Sequence, residues 1–189
     1  MTRADSTRGV FLIGFMGAGK SSVGRALGLR LGWPFQDLDD VIERNQGKSV
    51  AGIFAEAGES GFRSIESQTL HTLLTTSEGE LGRCIVALGG GAFAQPQNRA
   101  ALQERGAITI LLDAPLKELW RRCRQDGDGK GRPLALNEGR AEFKRLFHER
   151  QSAYQLAKVR VNTMHKSVDQ VAAEIEQVLA TVMQTEVEQ

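Results

Sequence analysis

The stretch Val10-Phe-Leu-Ile-Gly14-Phe-Met-Gly17-Ala18-Gly19-Lys20-Ser21-Ser22 decides the fold. Its opening, Val10 to Phe15, is a continuous apolar run, the pattern of a strand buried on both faces of a parallel sheet. Gly14 to Ser21 then matches G-x-x-x-x-G-K-[ST], directly after that strand and at the start of a helical stretch. The glycines let the backbone curl so that several N–H groups point inward, and the next helix adds the positive end of its dipole. Such a loop cradles nucleotide phosphates. Gly17, Ala18, Gly19, Lys20, Ser21 and Ser22 are therefore candidate nucleotide contacts, with Lys20 reaching the β- and γ-phosphates and the Ser21 hydroxyl offered to Mg2+. A glycine-rich turn with a surface lysine is the plain alternative; agreement of strand, loop and helix argues against it.

Outward from this loop, strand-like and helix-like segments alternate. Cys84 to Leu88 and Ala107 to Leu112 read like the first strand, and Pro34 to Gln36 and Val159 to Val161 are shorter candidates. Helical spacing occupies about 20–31, 60–75, 116–124, 138–157 and 168–182. Repeated β-then-α order predicts an α/β domain, an open parallel sheet with helices on both faces. Two insertions interrupt it. One, about 37–76, is helical without a strand; the other, Asp126-Gly-Asp-Gly-Lys-Gly-Arg132 before Pro133, has three glycines in seven residues and a backbone that moves easily. About 185–189 are polar and expected to fray.

At 189 residues the chain is expected to form one domain, 1–189. Its 41% hydrophobic and 25% charged residues are ordinary for a soluble globular protein. A net charge of +1 gives no global field for nucleic acid or an anionic membrane, so neither is an expected partner. Met1 to Gly9 is short and polar, and Val10 to Phe15 is too brief for a signal core or a membrane span. The two cysteines, Cys84 and Cys123, do not read as a disulfide framework, and a reducing cytoplasm is the expected compartment. Three scattered histidines and no CxxC or HExxH argue against a protein-built zinc site.

A phosphate loop alone does not separate an ATPase, a switch GTPase and a kinase. The guanine-reading N-K-x-D is absent, as is a clear apolar strand ending in an acidic pair. Asp37-Leu-Asp39-Asp40 follows the second strand, at the sheet edge where ligands of α/β folds gather. If that segment is extended, Asp37 and Asp39 point the same way; one carboxylate can hold Mg2+ through water while the other orients or deprotonates a hydroxyl. Helix capping is the competing account. Arg63 and Glu66 share a helix face at i, i+3, which alone is more often a surface ion pair. Gly89-Gly90-Gly91 ends a strand, where a plain turn competes with close approach of a ligand.

These pieces occur in order with G-x-S-x-x-x-I-F (Gly47 to Phe54), G-E-x-x-F-R-x-x-E (Gly58 to Glu66), R-P-L (Arg132 to Leu134) and R-x-x-x-Y (Arg150 to Tyr154). Together they resemble shikimate kinase from about Val10 to Val182. The resemblance implies a nucleoside-monophosphate-kinase-like fold: three α/β/α layers on a five-stranded parallel sheet, with a core of about 10–36, 77–125 and 138–182. It further implies an acceptor-binding insertion at about 37–76 and a lid at about 126–137. By resemblance, Asp39, Arg63, Gly90 and Arg150 contact the acceptor, with Gly89 and Gly91 shaping the same wall. Asp37 resembles the position that holds Mg2+ beside Ser21, Arg132 the lid arginine over the phosphates, and Arg122 the residue against adenine. Lys20, Asp39 and Arg132 are then the expected catalytic groups.

The implied reaction is direct in-line transfer from Mg-ATP to a shikimate hydroxyl, in aromatic amino acid biosynthesis. Two arginines suit a carboxylate, and Asp39 suits ring hydroxyls. A kinase of gluconate or another sugar acid, a nucleotide kinase, and a non-catalytic ATP-binding module are the alternatives. Arg150, read alone, would be a solvated arginine on a basic helix. Leu38 departs from the smaller polar residue often found inside D-x-D, Asp40 is assigned to helix capping, and 162–166 resembles the adenine-side loop only in position. A monomer is the expected state.

Overall fold

The computed structural model describes residues 9–75, 83–125 and 139–187. Five strands, β1 (Val10–Ile13), β2 (Phe35–Asp37), β3 (Ile85–Ala87), β4 (Ile108–Asp113) and β5 (Val159–Asn162), form one parallel sheet in the order β2-β3-β1-β4-β5. Among the described residues the α-helices are α1 (Lys20–Leu31), α2 (Leu38–Gln46), α3 (Val50–Thr75), α4 (Pro96–Glu104), α5 (Leu116–Gln125), α6 (Gly139–Tyr154) and α7 (Val168–Val187). A 3-10 turn at Ala92–Ala94 precedes α4.

All four residues of β1 are buried. Successive strand side chains point to opposite faces, so this run requires apolar cover on both. The chain leaves β1 for the edge strand β2, returns to β3 beside β1, and then crosses to β4 and β5. The reversal opens a crevice at the carboxyl ends of the central strands. Register sets what meets there. Ala87 pairs with both Leu12 and Asp37, so the loop after β1, the carboxylate ending β2 and the glycines after β3 emerge side by side.

Helix α1 covers the expected span, and all five strands fall where expected to within a residue or two. Several expectations need correction. The segment 37–39 is not extended: α2 starts at Leu38, and Asp37 is its N-cap, with Oδ1 accepting from the Asp39 amide at 3.2 Å. Helix α3 begins ten residues before the expected 60 and kinks at Gly58, whose φ of 67° and ψ of −175° suit only glycine. Helix α4 has no counterpart in the periodicity reading, because only Asn98 and Leu102 of its nine residues are buried. Helix α7 runs to Val187, five residues beyond the expected 182. The expected lid, 126–137, with Arg132, lies outside the described residues.

Candidate active site

The phosphate loop follows β1 as a tight arch. Gly17 has φ 79°, and a Cβ there would stand 2.6 Å from the Leu119 carbonyl oxygen of α5. Both the backbone angle and the close approach require glycine. Gly19, also left-handed at φ 89°, is the N-cap of α1 and supplies no side-chain cap. The first N–H groups of α1 are thus left without a side-chain acceptor, which suits an anion. Lys20 Nζ folds over the arch, donating to the carbonyls of Gly14 at 3.0 Å and Phe15 at 3.3 Å. Ser22, one turn-position on, is exposed.

Beside the loop, the Ser21 hydroxyl donates to Asp37 Oδ2 at 2.5 Å. These are two hard oxygen donors in contact, one from α1 and one from the end of β2. Among the described residues no group of three or more His, Cys, Asp or Glu could cage a metal. The pair instead fits Mg2+, which takes one or two protein oxygens and fills its octahedron with phosphate and water.

Asp39, in the first turn of α2, faces the Gly89–Gly91 wall. A Cβ on Gly89 would lie 3.0 Å from Asp39 Oδ1 and 2.7 Å from Glu66 Oε1, so the two carboxylates converge on that glycine. Burial, reinforced by the neighbouring Asp37 and Glu66 charges, pushes Asp39 up to about 6, against the pull of Lys20 and Arg63. Asp40 is exposed in the same first turn, a position that favours acid at a helix N-terminus.

Glu66 is not half of the surface ion pair that its spacing from Arg63 suggests. Its side chain is 0% exposed, and Oε2 accepts from Arg63 Nη1 at 2.8 Å and from Gln95 Nε2 at 3.0 Å. Oε1 is buried with no hydrogen-bond partner. Burial raises its pKa, opposed chiefly by Arg63. Arg63 itself is 18% exposed, also meets Glu59 at 3.4 Å, and stacks over Phe62. Its guanidinium occupies the space a Cβ on Gly91 would need.

Arg150 is likewise not a solvated residue of α6: it is 8% exposed, lies over the Phe15 ring, and brings Nη1 within 3.2 Å of where a Gly90 Cβ would stand. One turn on, the Tyr154 hydroxyl donates to the Gly90 carbonyl, pinning the wall. Burial pushes Tyr154 up to about 12, so it stays a neutral donor.

On the far side of the loop, Arg122 of α5 donates to Glu118 at 2.8 Å and to both the hydroxyl and the carbonyl of Thr163 at 2.9 Å. It therefore ties α5 to the segment after β5. Hydrogen bonds from Arg121 and then Arg122 hold Glu118 down to about 2.

Phosphate loop, Asp37, Asp39, Arg63, the three glycines and Arg150 thus gather at one sheet edge, while Arg132 is outside the described residues. Glu66, Tyr154 and Gln95 belong to this cluster but were not candidates. The first two stand inside the quoted motifs, which was their only signal; nothing in the sequence pointed to Gln95.

The family model for shikimate kinase matches residues 16–180. Shikimate kinase from Persephonella marina is 39% identical over 168 residues, covering 89% of this chain and 96% of that one. The Geobacter metallireducens enzyme of the same name is 42% identical over 172 residues, covering 90% and 91%. Among solved structures, the shikimate kinase of Acinetobacter baumannii in complex with shikimate superposes with a TM-score of 0.81 at 31% identity, covering 92% and 93%.

Proposed function

The chain belongs to the shikimate kinase family, and from that premise we propose that it transfers the γ-phosphoryl group of ATP to a ring hydroxyl of shikimate in one direct step. The observation that carries the reading is the convergence of Asp39, Arg63 and Arg150 on the Gly89–Gly91 wall, beside the phosphate loop. Shikimate is a carboxylated ring with hydroxyls. Arg63 and Arg150 suit its carboxylate as charge-assisted donors, and Asp39 suits a hydroxyl as acceptor.

The loop N–H groups and Lys20 hold the β- and γ-phosphates. Lys20 exchanges its two carbonyl contacts for phosphate oxygens. Ser21 and Asp37 would hold Mg2+, which would supply charge neutralisation on the transferring group. Asp39 orients the attacking hydroxyl and takes its proton, and the fixed arginines hold the ring in line. Arg132, by its motif position, is assigned to the phosphates. We further propose a cytoplasmic monomer. Both cysteines, Cys84 and Cys123, are buried in the core, which suits a reducing compartment. The exposed large hydrophobics Leu29, Leu156 and Val168 sit singly on α1, after α6 and on α7, in keeping with a monomer.

The assignment of Asp39 is tested with Asp39→Asn. Shikimate-dependent ADP release should fall by about 100-fold or more, the scale of lost general-base catalysis. ATP affinity should stay within twofold. Unchanged turnover would overturn the assignment.

A further inference from the structure

Gln95 occupies the N-cap of α4, a position where side-chain oxygens usually accept from the first helical N–H groups. Here it makes no such bond. Its Oε1 instead accepts from Ser67 Oγ at 3.2 Å and from Gln97 Nε2 at 2.8 Å, and its Nε2 donates to Glu66 Oε2 at 3.0 Å. An ionised carboxylate only accepts, so it takes the amide nitrogen and leaves the amide oxygen to Ser67 and Gln97. Glu66 Oε2 is thereby shared between a neutral donor, Gln95, and a charged one, Arg63. The other oxygen, Oε1, has no partner and lies against Gly89.

A buried carboxylate held by one arginine alone could rotate about its last bond and carry the guanidinium with it. The second donor removes that freedom. We propose that Gln95 is a positioning residue for the acceptor: by fixing the rotation of Glu66, it sets the direction in which Arg63 presents its guanidinium along the Gly91 wall. This inference rests on the reading of Arg63 as the partner of the substrate carboxylate. A tether joining α4 to α3, with no part in substrate affinity, is the structural alternative.

The two differ in kinetics. Gln95→Ala should raise KM for shikimate about tenfold, the scale of one hydrogen bond to a charged group. Its kcat and its KM for ATP should stay within twofold. Gln95→Glu, similar in size but without the donor, sets a like charge beside Glu66 and should raise KM for shikimate at least as much. In an Arg63→Ala background, Gln95→Ala should be nearly silent, because the group it orients is gone. Thermal melts check that each variant is folded. Folded Gln95 variants with unchanged KM for shikimate, or full additivity with Arg63→Ala, would overturn the proposal. If Arg63→Ala itself leaves KM for shikimate unchanged, the underlying reading of Arg63 fails instead.

Discussion

At Asp39, a partly buried carboxylate sits among the like charges of Asp37 and Glu66 and the cations Lys20 and Arg63, with a pKa of about 6. A base is useful only when ionised, so activity should fall as pH drops through that value. The kcat/KM for shikimate should show an acidic limb near pH 6, since this ratio reports the free enzyme. A profile flat from pH 5 to 8 would contradict the role. The wall offers a steric test. Gly91 has an ordinary φ of −102°, so alanine is tolerated by the backbone, but its Cβ would collide with the Arg63 guanidinium. Gly91→Ala should therefore raise KM for shikimate by about tenfold or more with little loss of stability, as one charged hydrogen bond is lost. Steady-state kinetics with a thermal melt decide it. At this scale the sequence was legible where chemistry is concentrated in a contiguous motif, as in Lys20 and Ser21. It was not legible for Glu66, whose burial comes from packing between α3 and the Gly89 wall, nor for Gln95, whose partners Ser67 and Glu66 lie 28 and 29 residues away.

At the scale of elements, the kink in α3 is the feature most open to test. Gly58 turns the helix so that Phe54, before it, and Phe62, after it, stack at 4.5 Å. The Glu43 carboxylate accepts from the Val50 amide at 2.8 Å and ties the start of α3 to α2. A Cβ on Gly58 would meet nothing within 4 Å, so the cost of Gly58→Ala is one of backbone alone. It should be about 1–3 kcal/mol, with Tm falling about 2–4 °C for each kcal/mol. Since Arg63 lies five residues beyond the kink, KM for shikimate should rise as well. An unchanged melt and an unchanged KM would show the angle to be incidental. Element types followed from apolar runs and helical spacing, because buried strands and α1 carry strong patterns. Helix α4 escaped because its sequence is mostly polar, and Asp37 as N-cap overrode the extended geometry expected of D-x-D.

At the scale of the whole molecule, strand order brings together what the sequence separates. Phosphate loop, Asp37 and Gly89 are neighbours because β3 lies between β2 and β1. The order itself lay outside the sequence reading: alternation predicted a parallel sheet and the family resemblance implied five strands, neither with an order. Nucleotide binding should therefore stabilise the fold through the sheet edge. At 100 times its Kd, Mg-ATP should add about 2.7 kcal/mol. Lys20→Ala should lose most of that gain in a thermal melt while keeping the ligand-free Tm. Wild-type stabilisation of the variant would count against the loop assignment. The central claim, that this loop serves a shikimate acceptor, is tested most directly by ADP release from Mg-ATP with shikimate, gluconate or a nucleoside monophosphate added in turn. Strong stimulation by shikimate alone is the predicted result. Equal stimulation by gluconate or a nucleotide, or ATP binding with no response to shikimate, would contradict it.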